Sequence, residues 1–309
     1  MADETGLRPE AGAPEDEQAA VLALAASPGH TRPTAIAKTL RQAPITAKLG
    51  LLVIVAYVLV AIFAPVLTPY GESEVVGLQF EPWGEQFLLG TDNLGRDMFT
   101  RLIYGARNTI GIAFVTTILA FLIGGAAGLL AAAIGGWTDQ ILSRMVDIVM
   151  AIPQLIFALL LLTIFGTSIP VLVMVIAVLD ATRVYRLTRA VGMNVAVMDF
   201  VEAARLRGER LGWIMRREIL PNIMPPLTAE FGLRFCFVFL MISALSFLGL
   251  GIQPPTADWG SMVRDNATLI TYGDITPLLP AGAIAVLTIA VNFVVDWFLH
   301  KTSGLRDEH

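Results

Sequence analysis

Residues 108–134 contain no Asp, Glu, Lys or Arg. As a helix rising 1.5 Å per residue, such a run is about 40 Å long, enough to cross the roughly 30 Å hydrocarbon layer of a bilayer with some tilt. In hydrocarbon every backbone polar group must be satisfied internally, and a single helix meets that condition by itself. Five further apolar stretches obey the same rule, giving six predicted spans at about 49–67, 108–134, 145–165, 168–186, 225–248 and 277–299. The fourth is the weakest, since its clean apolar run, 169–179, is short and Asp180 and Arg183 follow. With 55% hydrophobic and 15% charged residues, the chain reads as an all-α polytopic membrane protein, not a soluble domain.

Charge sets the expected orientation. Residues 1–33 are rich in Ala, Pro, Gly and acids and are expected to form a disordered tail. The segment 34–48 carries Lys38, Arg41 and Lys48, as suits an amphipathic stretch on a cytoplasmic lipid surface. With six spans and a cytoplasmic N-terminus, the 187–224 loop and the 300–309 tail are cytoplasmic as well. Sixteen of the 21 Lys and Arg then lie inside, whereas Arg96, Arg101, Arg107 and Arg264 lie outside and Arg234 falls within a span. That asymmetry obeys the positive-inside rule and supports the fourth span, without which the arginine-rich loop would change sides. No basic start followed by a cleavable apolar region is present, so no signal peptide is expected.

The charged island 199–221, DFVEAARLRGERLGWIMRREILP, is the exception in this apolar chain. Asp199 and Glu202 have the spacing of a capping box, which predicts a helix start. Ala204, Gly208, Leu211, Gly212 and Met215 fall at helical spacing along one side, unless Gly208 breaks the segment into two short helices at a bend. Arg205, Arg207, Arg210, Arg216 and Arg217 hold it at the headgroups or in water, and Leu220-Pro221 is expected to end it.

Glu202-Ala203-Ala204, Gly208 and Leu220-Pro221 together resemble the EAA signature of permease subunits of bacterial ABC importers, although Glu218 stands where that pattern is often apolar. Residues 90–107 and 246–263 resemble the outer loops of the dipeptide and oligopeptide permeases, and DIVMAIPQLIFAL resembles their proline-kinked third span. Four separated matches in one order cover most of the chain from about residue 45 onward. The chain is therefore similar to C-type permeases with the type I importer (MetI-like) fold, with 34–107 as the first span and its loop and 108–299 as the core. The resemblance implies half of a pore for peptides or related solutes in the bacterial cytoplasmic membrane. It also implies a B-type permease partner, two ATP-binding subunits that hold ATP and Mg, an extracytoplasmic solute-binding protein and surrounding lipid. Glu202, Ala203, Ala204, Gly208, Leu220 and Pro221 would be the coupling residues. Glu202 has a competing role in the capping box, and Gly208 is expected to act through the bend.

Ionisable groups within spans are costly and are functional candidates by default. Glu230 and Arg234 stand at i, i+4 and either pair structurally or line the pore; Asn292 and Asp296, also i, i+4, are expected to hydrogen-bond between helices. Asp180 is expected to pair with Arg183 or to sit near the inner surface. Gly124 and Gly128 permit close helix packing, and Pro153 predicts a kink. Trp259 and Tyr272 read as interfacial aromatics, and Trp83 as part of an outer cap facing the binding protein.

An enzyme of its own is not expected. His30, His300 and His309 form no metalloprotease motif, Cys236 stands alone, and none of the three lysines follows a phosphate-cradling glycine loop. Nucleic-acid binding is not expected either. The remaining alternative is a self-sufficient secondary transporter or channel, which would use midplane carboxylates and often show inverted repeats; no clear repeat is visible.

Overall fold

The computed structural model describes residues 43–302. The predicted tail at 1–33, most of the 34–48 segment and the end of the 300–309 tail lie outside the described residues. Among the described residues the regular structure is helical, apart from isolated bridges at Val75–Arg96 and Thr91–Asp97. The long elements are α1 (Ile45–Leu67), α2 (Met98–Ile134), α3 (Gly136–Met150), α4 (Gln154–Phe165) and α5 (Ile169–Ala196). They are followed by α6 (Asp199–Leu206), α7 (Leu211–Ile214), a π-turn (Met215–Ile219) and α8 (Leu220–Phe247). Then come α9 (Trp259–Asp265), a 3-10 turn (Ala267–Tyr272) and α10 (Leu278–Thr302).

Among the described residues, four continuous helices are long and apolar enough to cross a membrane: Ile45–Leu67, Met98–Ile134, Leu211–Phe247 and Leu278–His300. The pair α3 and α4, bent by 87° at the break before Gln154, makes a fifth candidate. Pro153 lies in that break, as its missing N–H and ring sterics require. The fourth predicted span falls in α5, where Asp180, Arg183 and Arg186 make composition alone insufficient.

The register of α5 against α2 is set by small residues. A Cβ on Gly124 would collide with the Ala181 carbonyl, and one on Gly128 would meet the Tyr185 carbonyl at 2.8 Å. Four residues beyond Gly128, Ala132 stands opposite Gly192, where an added Cβ would approach it to 2.9 Å. Residue numbers rise together on both helices, so α2 and α5 run parallel along a seam of small side chains. Only glycine lets these backbones come so close, and the dispersion attraction along the seam needs no water to drive it.

The end of the bundle that carries loops 68–97 and 248–277 is knitted by polar groups. Asp97 caps α2 by accepting from the Thr100 N–H at 2.8 Å, and Asp258 caps α9 by accepting from the Ser261 N–H at 2.8 Å. Asp92 pairs with Arg96 at 2.7 Å and with Arg101 at 3.2 Å, all three buried. The Asn108 amide donates to both Glu72 Oε2 and the Ala257 carbonyl, tying the two loops together. Burial pushes the Asp258 carboxyl above its ordinary value, and hydrogen bonds from Ser261, Ser246 and Thr109 pull it back. Trp259 is not an interfacial aromatic: it is 2% exposed, donates to the Leu102 carbonyl and stands edge-on to Tyr57 and Phe239. Its ring fills the space over Gly105. Tyr272 is exposed, and the Trp83 indole donates to Thr276 Oγ1 at 2.8 Å.

Candidate functional site

At the opposite end, α6 begins at Asp199 without the expected capping box. Its N-cap is Met198, no side chain caps it, and the Met198 carbonyl takes the Val201 and Glu202 N–H groups. Asp199 lies inside the first turn, where its charge and that of Glu202 favour the positive helix end. The other terminus closes by geometry that only glycine adopts readily. Gly208 has φ +81, its N–H bonds the Arg205 carbonyl, and the Glu209 N–H reaches back to the Ala204 carbonyl. That pair of bonds is a Schellman motif, and space around Gly208 is open, so the glycine serves the turn and no side-chain contact within the described residues.

The break at Gly208 divides the predicted stripe. Ala204 is 0% exposed and packs with Val201, Ile214, Ile219, Leu129 and Val195, so it locks α6 onto its own chain and presents nothing to a partner. Gly208, Leu211 and Gly212 are exposed, whereas Met215 is half-buried. Glu202 and Ala203 are exposed. Beside them stand Val197, Met198, Phe200, Leu206 and Trp213, an exposed apolar set that motif reading passed over. Only the opposite phase of the helix, once Val201 and Ala204 are known to be inside, would have revealed it. The Arg205 guanidinium donates to the Ala133 carbonyl at 3.2 Å, satisfying one of the last carbonyls of α2.

Leu220-Pro221 does not end the helix. The chain is helical from Leu211 through Phe247, with Pro221 exposed and Leu220 half-buried. The widened π-turn is the reason: the Leu220 N–H bonds the Met215 carbonyl five residues back, and the proline follows directly after that wider turn. The second half of the charged island, from Leu211, and the following span are therefore one continuous element.

On the face of α3, Asp139, Ser143 and Asp147 meet α5 in succession. Arg189 holds Asp139 through both carboxylate oxygens, Ser143 Oγ lies 2.9 Å from the Tyr185 hydroxyl, and Arg186 pairs with Asp147 at 2.7 Å.

Within the spans, Glu230 and Arg234 pair as expected at 2.7 Å, and a third member joins them. Asp180 does not turn to Arg183; its Oδ1 lies 3.6 Å from Arg234 Nη1, which links α5 to α8. Asp180 is 1% and Arg234 8% exposed, so both face the bundle interior and Glu230 alone keeps an accessible edge. The guanidinium carbon also stands 4.6 Å above the Phe237 ring. Two carboxylates thus share one guanidinium, and Asp180 Oδ2 has no hydrogen-bond partner among the described residues. Asn292 does not bridge helices: its amide donates to the Thr288 carbonyl of its own helix at 3.0 Å, and Asp296 is exposed. At i, i−4 the nearest acceptor on α10 is within reach before any neighbour.

A family model described as "Binding-protein-dependent transport system inner membrane component" matches residues 124–301. The dipeptide transport system permease protein DppC of Alkalihalophilus pseudofirmus is 35% identical over 260 residues, covering 84% of this chain and 83% of that protein. The di/tripeptide transport system permease protein DppC of Pseudomonas aeruginosa is 36% identical over 265 residues, covering 84% and 85% respectively. A crystal structure of an amino acid ABC transporter with histidines superposes at a TM-score of 0.50 with 21% identity. It covers 66% of this chain and 94% of its own, a likeness of fold.

Proposed function

This chain belongs to the inner membrane components of binding-protein-dependent transport systems, as a permease subunit of a peptide-class ABC importer, and we propose that its helix from Leu211 to Phe247 is the lever that partner ATPases move. The observation that carries this reading is that the second half of the charged island, from Leu211, is continuous with the span, while its first half packs onto it through Ala204. Ala204, Ile214 and Ile219 lie in one buried cluster, so a force on the exposed side of α6 reaches the Leu211–Phe247 helix through that packing, across the turn at Gly208.

The exposed set Met198, Phe200, Ala203 and Leu206, ringed by Glu202, Arg205 and Arg207, is the surface for an ATP-binding subunit. An apolar centre with a charged rim is the usual anatomy of a protein interface. Gly208 shapes this surface, and Leu220 and Pro221 transmit from it; Ala204 supports it from beneath. ATP and Mg would be bound by two such subunits, the other half of the pore would come from a B-type permease, and a solute-binding protein would dock at the opposite end.

Six crossings fit best. Two parallel helices, α2 and α5, need a return path between them, and the bent α3–α4 pair is the stretch of chain that joins them. This parity supports a cytoplasmic N-terminus and a cytoplasmic charged island. The cargo would be a peptide or a related solute.

Cysteine at 203 or 206 in the assembled complex should crosslink to an ATP-binding subunit and be shielded from membrane-impermeant reagents added outside. Labelling from outside, or gradient-driven uptake by this chain reconstituted without ATPase subunits, would overturn the reading.

A further inference from the structure

Between α1, α2, α8 and α10 lies a groove of about 710 Å³ whose lining is apolar except for Arg107 at one end and the Tyr57 hydroxyl, which donates to the Ala283 carbonyl. Arg107 is exposed and forms no ion pair with any described residue. From Arg107 to the end of α2 at Gly135 the rise is about 42 Å, the thickness of a bilayer with its headgroups. Arg107 therefore stands at one headgroup layer, on the side of loop 68–97, and the groove descends from it into hydrocarbon.

The groove has a floor. Phe231 lies edge-on to Phe114 at 5.9 Å and tilted against Phe121 at 5.1 Å, about half-way down α2. Below it is a separate groove of about 430 Å³ between α2 and α8 whose lining includes no charged residue among those described. Gly111 keeps the upper groove open: a Cβ there would meet nothing within 4 Å, although glycine within a helix is itself unfavourable. By contrast, Gly232 on the facing helix is packed against Val295.

We infer that this groove binds one acyl chain of a phospholipid whose phosphate is held by Arg107. An apolar slot that runs about 10 Å down α2 from a cation at headgroup level to an aromatic floor fits a phosphate and the upper part of an acyl chain below it. A transmembrane helix of the partner permease would need a path through both leaflets, which Phe231 interrupts. The site is separate from the charged island and does not depend on how ATPases engage it.

The test uses the assembled transporter in nanodiscs containing phosphatidylglycerol with a diazirine at mid-chain. After photolysis, mass spectrometry should find adducts within 110–114 and 231–235. Gly111→Leu should remove them while adducts on the exposed face of α1, at Leu52 and Val55, persist. Arg107→Gln should lower them roughly fivefold, the effect of one basic residue at an anionic lipid surface. Gly125→Leu, which also enters open space on α2 but in the lower groove, should leave them unchanged, and Gly111→Ala serves if the leucine variant does not assemble. Groove adducts no more sensitive to Gly111→Leu than those on α1 would overturn the inference. So would an unlabelled groove in which Gly111→Cys forms a disulfide with a cysteine placed in the partner permease.

Discussion

Exchanging Glu230 and Arg234 tests whether the intramembrane charges form a pair or a triad. For an isolated i, i+4 pair, the double reversal Glu230→Arg with Arg234→Glu restores the attraction that either single reversal destroys. Here the residue at 234 also faces Asp180, whose Oδ1 lies 3.6 Å from the guanidinium. Two unit charges about 4 Å apart interact by about 4 kcal/mol at an effective dielectric constant of 20. Arg234→Glu turns that attraction into repulsion of similar size, on top of the loss of the Glu230 pair. Protonating one of the two facing carboxyls caps the repulsion, which leaves the loss of the attraction itself. The double reversal should therefore remain destabilised by about 3–5 kcal/mol, in the range for a buried charge left without its partner. Adding Asp180→Asn to it should recover most of that loss. The assay is thermal stability of the purified complex by fluorescence-detected gel filtration, with uptake measured alongside. A double reversal that matches the wild type while Asp180 is intact would refute the triad.

Other outcomes follow from the same packing. Gly208→Val places a β-branched residue at φ +81 and should fray the end of α6 by about 1–2 kcal/mol, lowering binding-protein-stimulated ATPase activity while membrane insertion is retained. Gly124→Leu would drive a side chain into the Ala181 carbonyl, part α2 from α5 and reduce the yield of assembled complex, whereas Gly125→Leu on the same helix should be tolerated. Leu206→Asp should weaken recovery of ATP-binding subunits on affinity purification, while Ala204→Ser, which changes a side chain facing inward, should lower thermal stability more than subunit recovery.

The apolar runs, the small-residue seam and the proline break were all readable because each rests on local physics: hydrocarbon tolerates few residue types, glycine alone permits backbone contact, and proline lacks a donor. Phase and partner choice were not local. Ala204 and Leu206 are two residues apart on one short helix, and nothing in their spelling says which is buried; the packing of Ile214 and Ile219 beneath α6 decides it. Pro221 spells a stop in a regular helix, and a single widened turn at 215–219 removes the conflict. Asp180 had an arginine three residues away in sequence and took one from another helix, since the parallel seam with α2 turns it toward the bundle interior while Arg183 faces out. These three corrections have one physical consequence. The stretch from Leu211 through the π-turn to Phe247 is one helix, α6 is packed onto it through Ala204, Ile214 and Ile219, and the contact from Arg234 to Asp180 ties it to α5. A push on α6 that rotates α8 must therefore either carry α5 along or break an interior charge contact. The 3.6 Å separation, longer than the 2.7 Å of the Glu230 pair, and an Asp180 Oδ2 without a partner among the described residues let this contact tighten on a small rotation. Because α8 runs back along α5 in the opposite direction, cysteines one turn further from the island, at Ile176 and Val238, would report whether that separation changes when ATP is added. A crosslinking yield indifferent to ATP would mean that α5 and α8 move as one piece.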